Sequence, residues 1–288
     1  MALTALIGFN VLTSIASLLL LVIGLGVIYG LMRIINLAHG EFLMLGAYAT
    51  VLSAHAGVNL WVAMLVVAPI FVGLFGLLVE RTLIRFLYGR MIDTMLATWG
   101  LSLGLIGLVT SIFGTTVRGV SAPLGSFAIG PYNASLYNAF TIGVAILTAL
   151  GLWALLRLTR FGLMVRATMQ NPDMAAALGV PPARIYMATF ALGAALTGLA
   201  GGVIAPVAGV APGMGAAYVA KAFITVLGGG AAIVTGSAIA SGLFGAIDQI
   251  VTFQTTPVFG QVALLIFAVV MIRVLPQGIT GRYFRRSI

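Results

Sequence analysis

Apolar runs of about 20 residues recur along the whole 288-residue chain, and few folds can accommodate them. Residues 60–79, 94–113, 137–156, 185–204 and 231–251 are each long enough to cross a hydrocarbon layer of about 30 Å as a helix. Lipid offers the backbone no hydrogen bonds, so spanning segments are helices or closed barrels. Barrels read as alternating segments of about 10 residues, and these runs are continuous. Only 7% of the residues are charged, against about 25% in an ordinary soluble domain. The 37 glycines suit helices that approach one another closely in a membrane. The expectation is an all-α fold, a polytopic transmembrane helical bundle of about eight spans forming a single domain over residues 1–288. Two segments, 32–54 and 217–231, read as interrupted or half-length helices. Residues 5–32 fit either one long tilted helix or a span plus a half-helix.

The net charge is +9, but its placement excludes a nucleic-acid partner. Arg81, Arg85 and Arg90 form one cluster, and Arg157, Arg160, Arg166 and Arg184 a second. Arg273, Arg282, Arg285 and Arg286 form a third. Each flanks an apolar run, as cytoplasmic loops do under the positive-inside rule, so the partner of the basic surface is the lipid bilayer. That places the C-terminus in the cytoplasm and the loop over residues 114–136, with Arg118, Pro123 and Pro131, outside. The side of the N-terminus stays open. The first charge is Arg33, so a cleavable signal peptide is not expected. With no cysteine there is no disulfide or thiolate site.

Against this background the polar knot Asn36, His39, Gly40 and Glu41, just after Arg33, needs a reason. Tyr48 follows two turns later. Polar groups at membrane depth are costly and usually face a cavity. One reading makes the knot a hinge and polar lining of a translocation path. The other has it satisfy backbone groups freed by the helix break, with Arg33 pairing Glu41. Gly40 is read as supplying a backbone geometry other residues resist. Trp99 and Asp248 join the candidates for the path or its gate, against packing for Trp99 and a helix–helix bond for Asp248. Lys221, the chain's one lysine, reads as a snorkelling residue. Gly73-Leu74-Phe75-Gly76 before Glu80 matches Gly242-Leu243-Phe244-Gly245 before Asp248, which leaves a two-fold internal repeat open. No phosphate-binding loop is present. His39 and Glu41 would lie about 200° apart on a helix. No catalytic residues, metal ligands or cofactors are assigned.

Residues 159–184 form the longest cytoplasmic stretch. Asn171 suits a helix N-cap, Pro172 the first helical position, and Asp173 the first turn. Gly179 fits the position after the C-cap, and Pro181-Pro182 stops continuation. The result is a short rigid helix with Met164, Val165, Met169, Met174 and Leu178 left for water, which reads as a docking element for a partner's groove.

Residues 35–41, Ile-Asn-Leu-Ala-His-Gly-Glu, with Gly46-Ala47-Tyr48, resemble the signature of the LivH-type permeases of bacterial branched-chain amino acid ABC importers. Residues 162–180 resemble that family's cytoplasmic coupling segment, and Arg273 with Pro276-Gln277-Gly278 its C-terminal ending. The resemblance implies a pore shared with a homologous LivM-type permease, two ABC ATPase subunits below, and a periplasmic substrate-binding protein. It implies an inner-membrane location and no ATPase activity of the chain's own. It makes Arg166, Asn171, Asp173, Ala175, Ala176 and Gly179 the ATPase-coupling candidates. Substrate stays open between branched-chain or hydrophobic amino acids and urea or short amides, since residues 96–103 are similar to the urea branch. An ion-coupled secondary transporter, using His39, Glu41 and Asp248, is the alternative of another class; it would have no use for a docking hairpin.

Overall fold

Proline and glycine punctuate the apolar runs where the chain turns, and the helices follow. The computed structural model describes residues 1–230, 232–275 and 277–284, with residues 282–284 described by backbone alone. Among the described residues seven helices are long and apolar enough to cross a membrane, so the polytopic all-α bundle expected from the sequence is the fold. Ala231, Pro276, Arg285 and Arg286, on which a span boundary, a helix stop and part of the third basic cluster were placed, lie outside the described residues. So does the side chain of Arg282.

In chain order the helices are α1 (Ala2–Met32), α2 (His39–His55), α3 (Leu60–Val62) and α4 (Ala68–Thr82). They continue with α5 (Met91–Phe113), α6 (Leu136–Leu158), α7 (Arg160–Gln170), α8 (Pro172–Ala177) and α9 (Pro182–Ala208). The last four are α10 (Met214–Gly229), α11 (Ile233–Gln254), α12 (Pro257–Val274) and α13 (Gly278–Phe284). The first apolar run is therefore one continuous helix. Between α3 and α4 the helix widens to a π-turn over Ala63–Val67, where the Ala68 N–H reaches the Ala63 carbonyl. Pro69 supplies the cause: it has no N–H for the Leu65 carbonyl and crowds the preceding turn. A short 3-10 turn, Ile84–Leu87, leads into α5.

The loop over residues 114–136, expected outside, carries a two-stranded antiparallel sheet, β1 (Ser126–Ile129) with β2 (Tyr132–Ser135), in register Ser126 to Ser135 and Ile129 to Tyr132. Gly130, at φ +62, and Pro131 make its two-residue turn.

Close contacts divide the chain into two compact units. One comprises Ile23–Val120 and Leu150–Val219. Its centre is α2, packed on α4 and α9. These helices meet through small residues, which let backbones approach. A Cβ at Gly46 would stand 2.7 Å from the Gly198 Cα, and one at Gly202 would stand 2.9 Å from the Met64 carbonyl oxygen. Around the crossings Ile28, Phe42, Met44, Phe190 and Ala194 are fully buried, and the Phe42 ring meets those of Phe75 and Phe190 edge-on.

The other unit comprises Met1–Val22, Ser121–Ala149 and Ala220–Ile288. Here α11 packs along α12, with Phe244 edge-on to Phe267. Gly245 lets Ile15 of α1 come within van der Waals range of its backbone. The α10–α11 break is clasped by Thr280 of α13: its hydroxyl donates to the Gly229 carbonyl and accepts the Ala232 N–H at 3.2 Å.

Candidate translocation site

The end of α1 sets the geometry of the knot. Arg33 takes a left-handed backbone, φ +52, and residues 33–38 run non-helically before α2 begins. Asn36 closes this bend on itself: its Oδ1 accepts the Ala38 N–H at 3.1 Å, and its carbonyl accepts the His39 N–H at 3.2 Å. The neighbouring Leu37 N–H is taken by Thr98 Oγ1 of α5, 3.1 Å away, while that hydroxyl donates to the Thr94 carbonyl at 2.8 Å. A side chain one helix away thus satisfies a backbone donor that the break set free.

His39 and Glu41 then occupy the first turn of α2 and point to different neighbours, as their angular separation requires. His39 Nδ1 lies 3.4 Å from Thr197 Oγ1 of α9. Thr197 Oγ1 also donates to the Gly193 carbonyl at 2.8 Å, which ties the hydroxyl to its own helix. Glu41 meets its own backbone N–H and the Ser102 hydroxyl of α5, in the turn where a helix favours negative charge. No Arg33–Glu41 ion pair forms among the described residues, which corrects that part of the backbone-satisfaction reading. Asn36, His39 and Glu41 are all at most 3% exposed. Asn36 Nδ2, Glu41 Oε2 and the Tyr48 hydroxyl have no partner among the described protein groups. The knot therefore keeps donor and acceptor capacity beyond what the fold consumes.

Gly40 is required for a different reason than expected. Its φ is not positive. A Cβ there would meet the backbone of Gly215, with the Gly215 Cα at 2.9 Å. Gly40 is a point of contact between helices, not a flexible joint.

Two turns along α2, Tyr48 stacks on Phe113 at 5.1 Å, and the Arg118 guanidinium lies over the same Phe113 ring at 5.4 Å. An apolar cleft of about 290 Å³ adjoins, lined by Leu45, Tyr48, Leu52, Phe71, Val109 and Phe113 among others. Trp99 is not part of this cluster. It is 55% exposed, on a face of α5 with Leu96 and Leu103, while Thr94, Thr98 and Ser102 share the buried face. Asp248, in the other unit, holds Lys221 at 3.2 Å, with the two side chains about one-fifth exposed. Lys221 is therefore an ion-pair partner, in place of the snorkelling role read from the sequence.

With the geometry laid out, comparison with known proteins decides the family. Residues 7–275 match the family described as branched-chain amino acid transport system / permease component. The chain belongs to that family of permeases. The probable branched-chain amino acid transport permease protein LivH of Methanocaldococcus jannaschii is 28% identical over 92% of this chain and 88% of its own length. The high-affinity branched-chain amino acid transport system permease protein LivH of Escherichia coli K12 is 28% identical over 95% and 94%. Among solved structures, PsaBC from Streptococcus pneumoniae in complex with Fab matches at a TM-score of 0.50 and 16% identity, covering 97% of this chain and 94% of that one; this likeness concerns the fold alone.

In this permease the stretch read as a coupling segment contains two helices, not one. Thr159 caps α7 by accepting the Gly162 N–H at 3.2 Å. Gly162, Val165 and Thr168 of α7 are buried, so Val165 is not left for water; Met164 and Met169 are half-buried. Asn171 caps α8 by accepting the Met174 N–H at 2.9 Å. At the other end Gly179, at φ +84, and Val180 return their N–H groups to Ala176 and Ala175 in a Schellman closure. Arg166 is exposed, and its guanidinium donates to the Leu156 carbonyl. Asn171, Asp173, Ala176 and Gly179 are exposed, whereas Ala175 is 2% exposed and faces inward. Met174 and Leu178 stand out at 59% and 77% exposure. Sequence reasoning missed Thr98, Ser102 and Thr197. The spacing of Thr94, Thr98 and Ser102, one polar residue every four along an apolar helix, was the available signal for the first two.

Proposed function

We propose that the chain is the membrane permease subunit of an ABC importer in the bacterial inner membrane, carrying branched-chain or hydrophobic amino acids. Two separate ATPase subunits dock on residues 159–184, a homologous permease completes the pore, and a periplasmic binding protein delivers substrate. The C-terminus lies in the cytoplasm and residues 114–136 outside. The observation that carries the coupling is α8. It is fixed at both ends by Asn171 and Gly179, and it keeps the large apolar side chains of Met174 and Leu178 exposed. A short helix capped at both ends, with two large apolar side chains exposed, suits insertion into a partner's groove. Asn36, His39, Gly40, Glu41 and Tyr48 form the path element: Asn36, Glu41 and Tyr48 have spare hydrogen-bonding groups, and Tyr48 also lines the apolar cleft. That pairing suits an amphipathic solute with a branched aliphatic side chain. Urea would leave the cleft unfilled.

The test is co-purification and uptake with the partner subunits expressed together. A Met174→Glu/Leu178→Glu permease is expected to insert normally yet lose the ATPases and ATP-driven leucine uptake. Retained ATPases would overturn the docking assignment. Uptake of urea in preference to leucine would overturn the substrate assignment.

A further inference from the structure

A cleft of about 320 Å³ lies where α1 ends and α5 begins, apart from the polar knot's hydrogen bonds. Arg33 lines it just past the end of α1, Leu87, Gly89 and Arg90 line it from the approach to α5, and Thr94 from the first turn of α5. Arg33 and Gly89 both have positive φ, +52 and +79. For arginine that conformation is uncommon and persists only where its surroundings impose it, so a constrained backbone places Arg33 in the lining of the cleft.

Among the described residues the charge at the cleft is not neutralised. Arg33 has no ion-pair partner among the described residues. Arg90 has only Asp93 at 3.8 Å, with both side chains more than half exposed. The other carboxylate of this stretch, Glu80, is buried and takes the Tyr88 hydroxyl. Arg81 and Arg85 add two more exposed cations. Beside them, Phe86, Met91 and Ile92 are 72%, 51% and 73% exposed. A soluble anion gains nothing from that apolar collar. A phospholipid matches both parts, with a phosphate for the arginines and acyl chains for the collar, and the segment lies between two spans, where a headgroup would sit.

We propose that this cleft binds the phosphate headgroup of an anionic phospholipid. Arg33 and Arg90 hold the phosphate oxygens as planar hydrogen-bonding forks, and Phe86, Met91 and Ile92 pack on the glycerol and the upper acyl chain. Basic pockets between transmembrane helices recognise anionic headgroups in this way.

The test uses the full chain in mild detergent, exchanged into phosphatidylcholine containing phosphatidylglycerol, with retained lipid read by native mass spectrometry. Wild type should retain phosphatidylglycerol in preference to phosphatidylcholine. Arg33→Gln/Arg90→Gln should reduce that retention about tenfold or more, with thermal unfolding in phosphatidylcholine unchanged. Arg157→Gln/Arg160→Gln, matched in charge, should not reduce it. Phe86→Ser should weaken retention, and millimolar inorganic phosphate should fail to displace the lipid. Undiminished retention in the first variant, or equal loss in the matched control, would overturn the site. Displacement by phosphate would show a free-phosphate site instead. Should the first variant not fold, wild type decides: retention must fall as salt is raised, and salt-insensitive retention refutes the proposal.

Discussion

Single residues in this permease are constrained by what lies against them more than by their own chemistry. Gly40 illustrates the point, since any side chain there displaces the Gly215 backbone. Gly40→Leu is expected to insert into the membrane, lose about 1–3 kcal/mol or more of stability, and block transport; thermal unfolding and uptake of the purified, reconstituted variant measure both. Glu80 and Tyr88 form a second such point. Burial, and then the hydrogen bond to Glu80, hold the Tyr88 phenol above its ordinary pKa of 10.0. The folded state therefore keeps a proton that the unfolded chain releases. The resulting stability is complete below about pH 10 and declines as pH rises further. Tyr88→Phe should lose that part of the alkaline dependence while leaving Glu80 buried without its phenol, at a cost of roughly 1–3 kcal/mol. Unfolding followed from pH 7 to 11 in both proteins tests the sign.

At the scale of elements, α8 is fixed at both ends by its own residues. Asn171→Ala removes a side-chain cap worth about 1 kcal/mol, and Gly179→Ala forces an alanine to φ +84. Each should raise amide exchange over residues 171–180 and weaken ATPase association, with the spans unaffected. Both ends of α8 were legible in the sequence because a cap is local: Asn171, Pro172 and Gly179 act on atoms two to five residues away. Its neighbour α7 was not legible, because its buried face is Gly162, Val165 and Thr168, and one apolar residue in three makes no visible stripe. The break at residues 33–38 was legible as polarity in an apolar run. Its partners were not: Thr98 and Ser102 were read as part of a span while Trp99 was singled out, because aromatic bulk is easier to see than a hydroxyl every fourth residue. Thr197 and Gly215 come from distant stretches, and only the packing of α2 against α9 and α10's first turn connects them to the knot.

The whole molecule is an apolar bundle whose membrane class was fixed by run length and charge scarcity alone, while its division into two units required the contacts. The proposed coupling to separate ATPases predicts that leucine uptake continues at an undiminished rate when a proton uncoupler is added and ATP is held constant; collapse of uptake under those conditions would point to an ion-coupled carrier. The Lys221–Asp248 pair has a consequence for how the chain is made. Helix α10 has 16 residues, about 24 Å of helix against about 30 Å of hydrocarbon, and it carries a lysine. Alone it is a poor candidate for release into lipid. Its counter-charge is 27 residues further on, in α11. During synthesis Lys221 emerges before the group that neutralises it, and α10 is expected to enter the bilayer only once α11 has arrived. The expected unit of insertion is one hairpin, with its charges already cancelled.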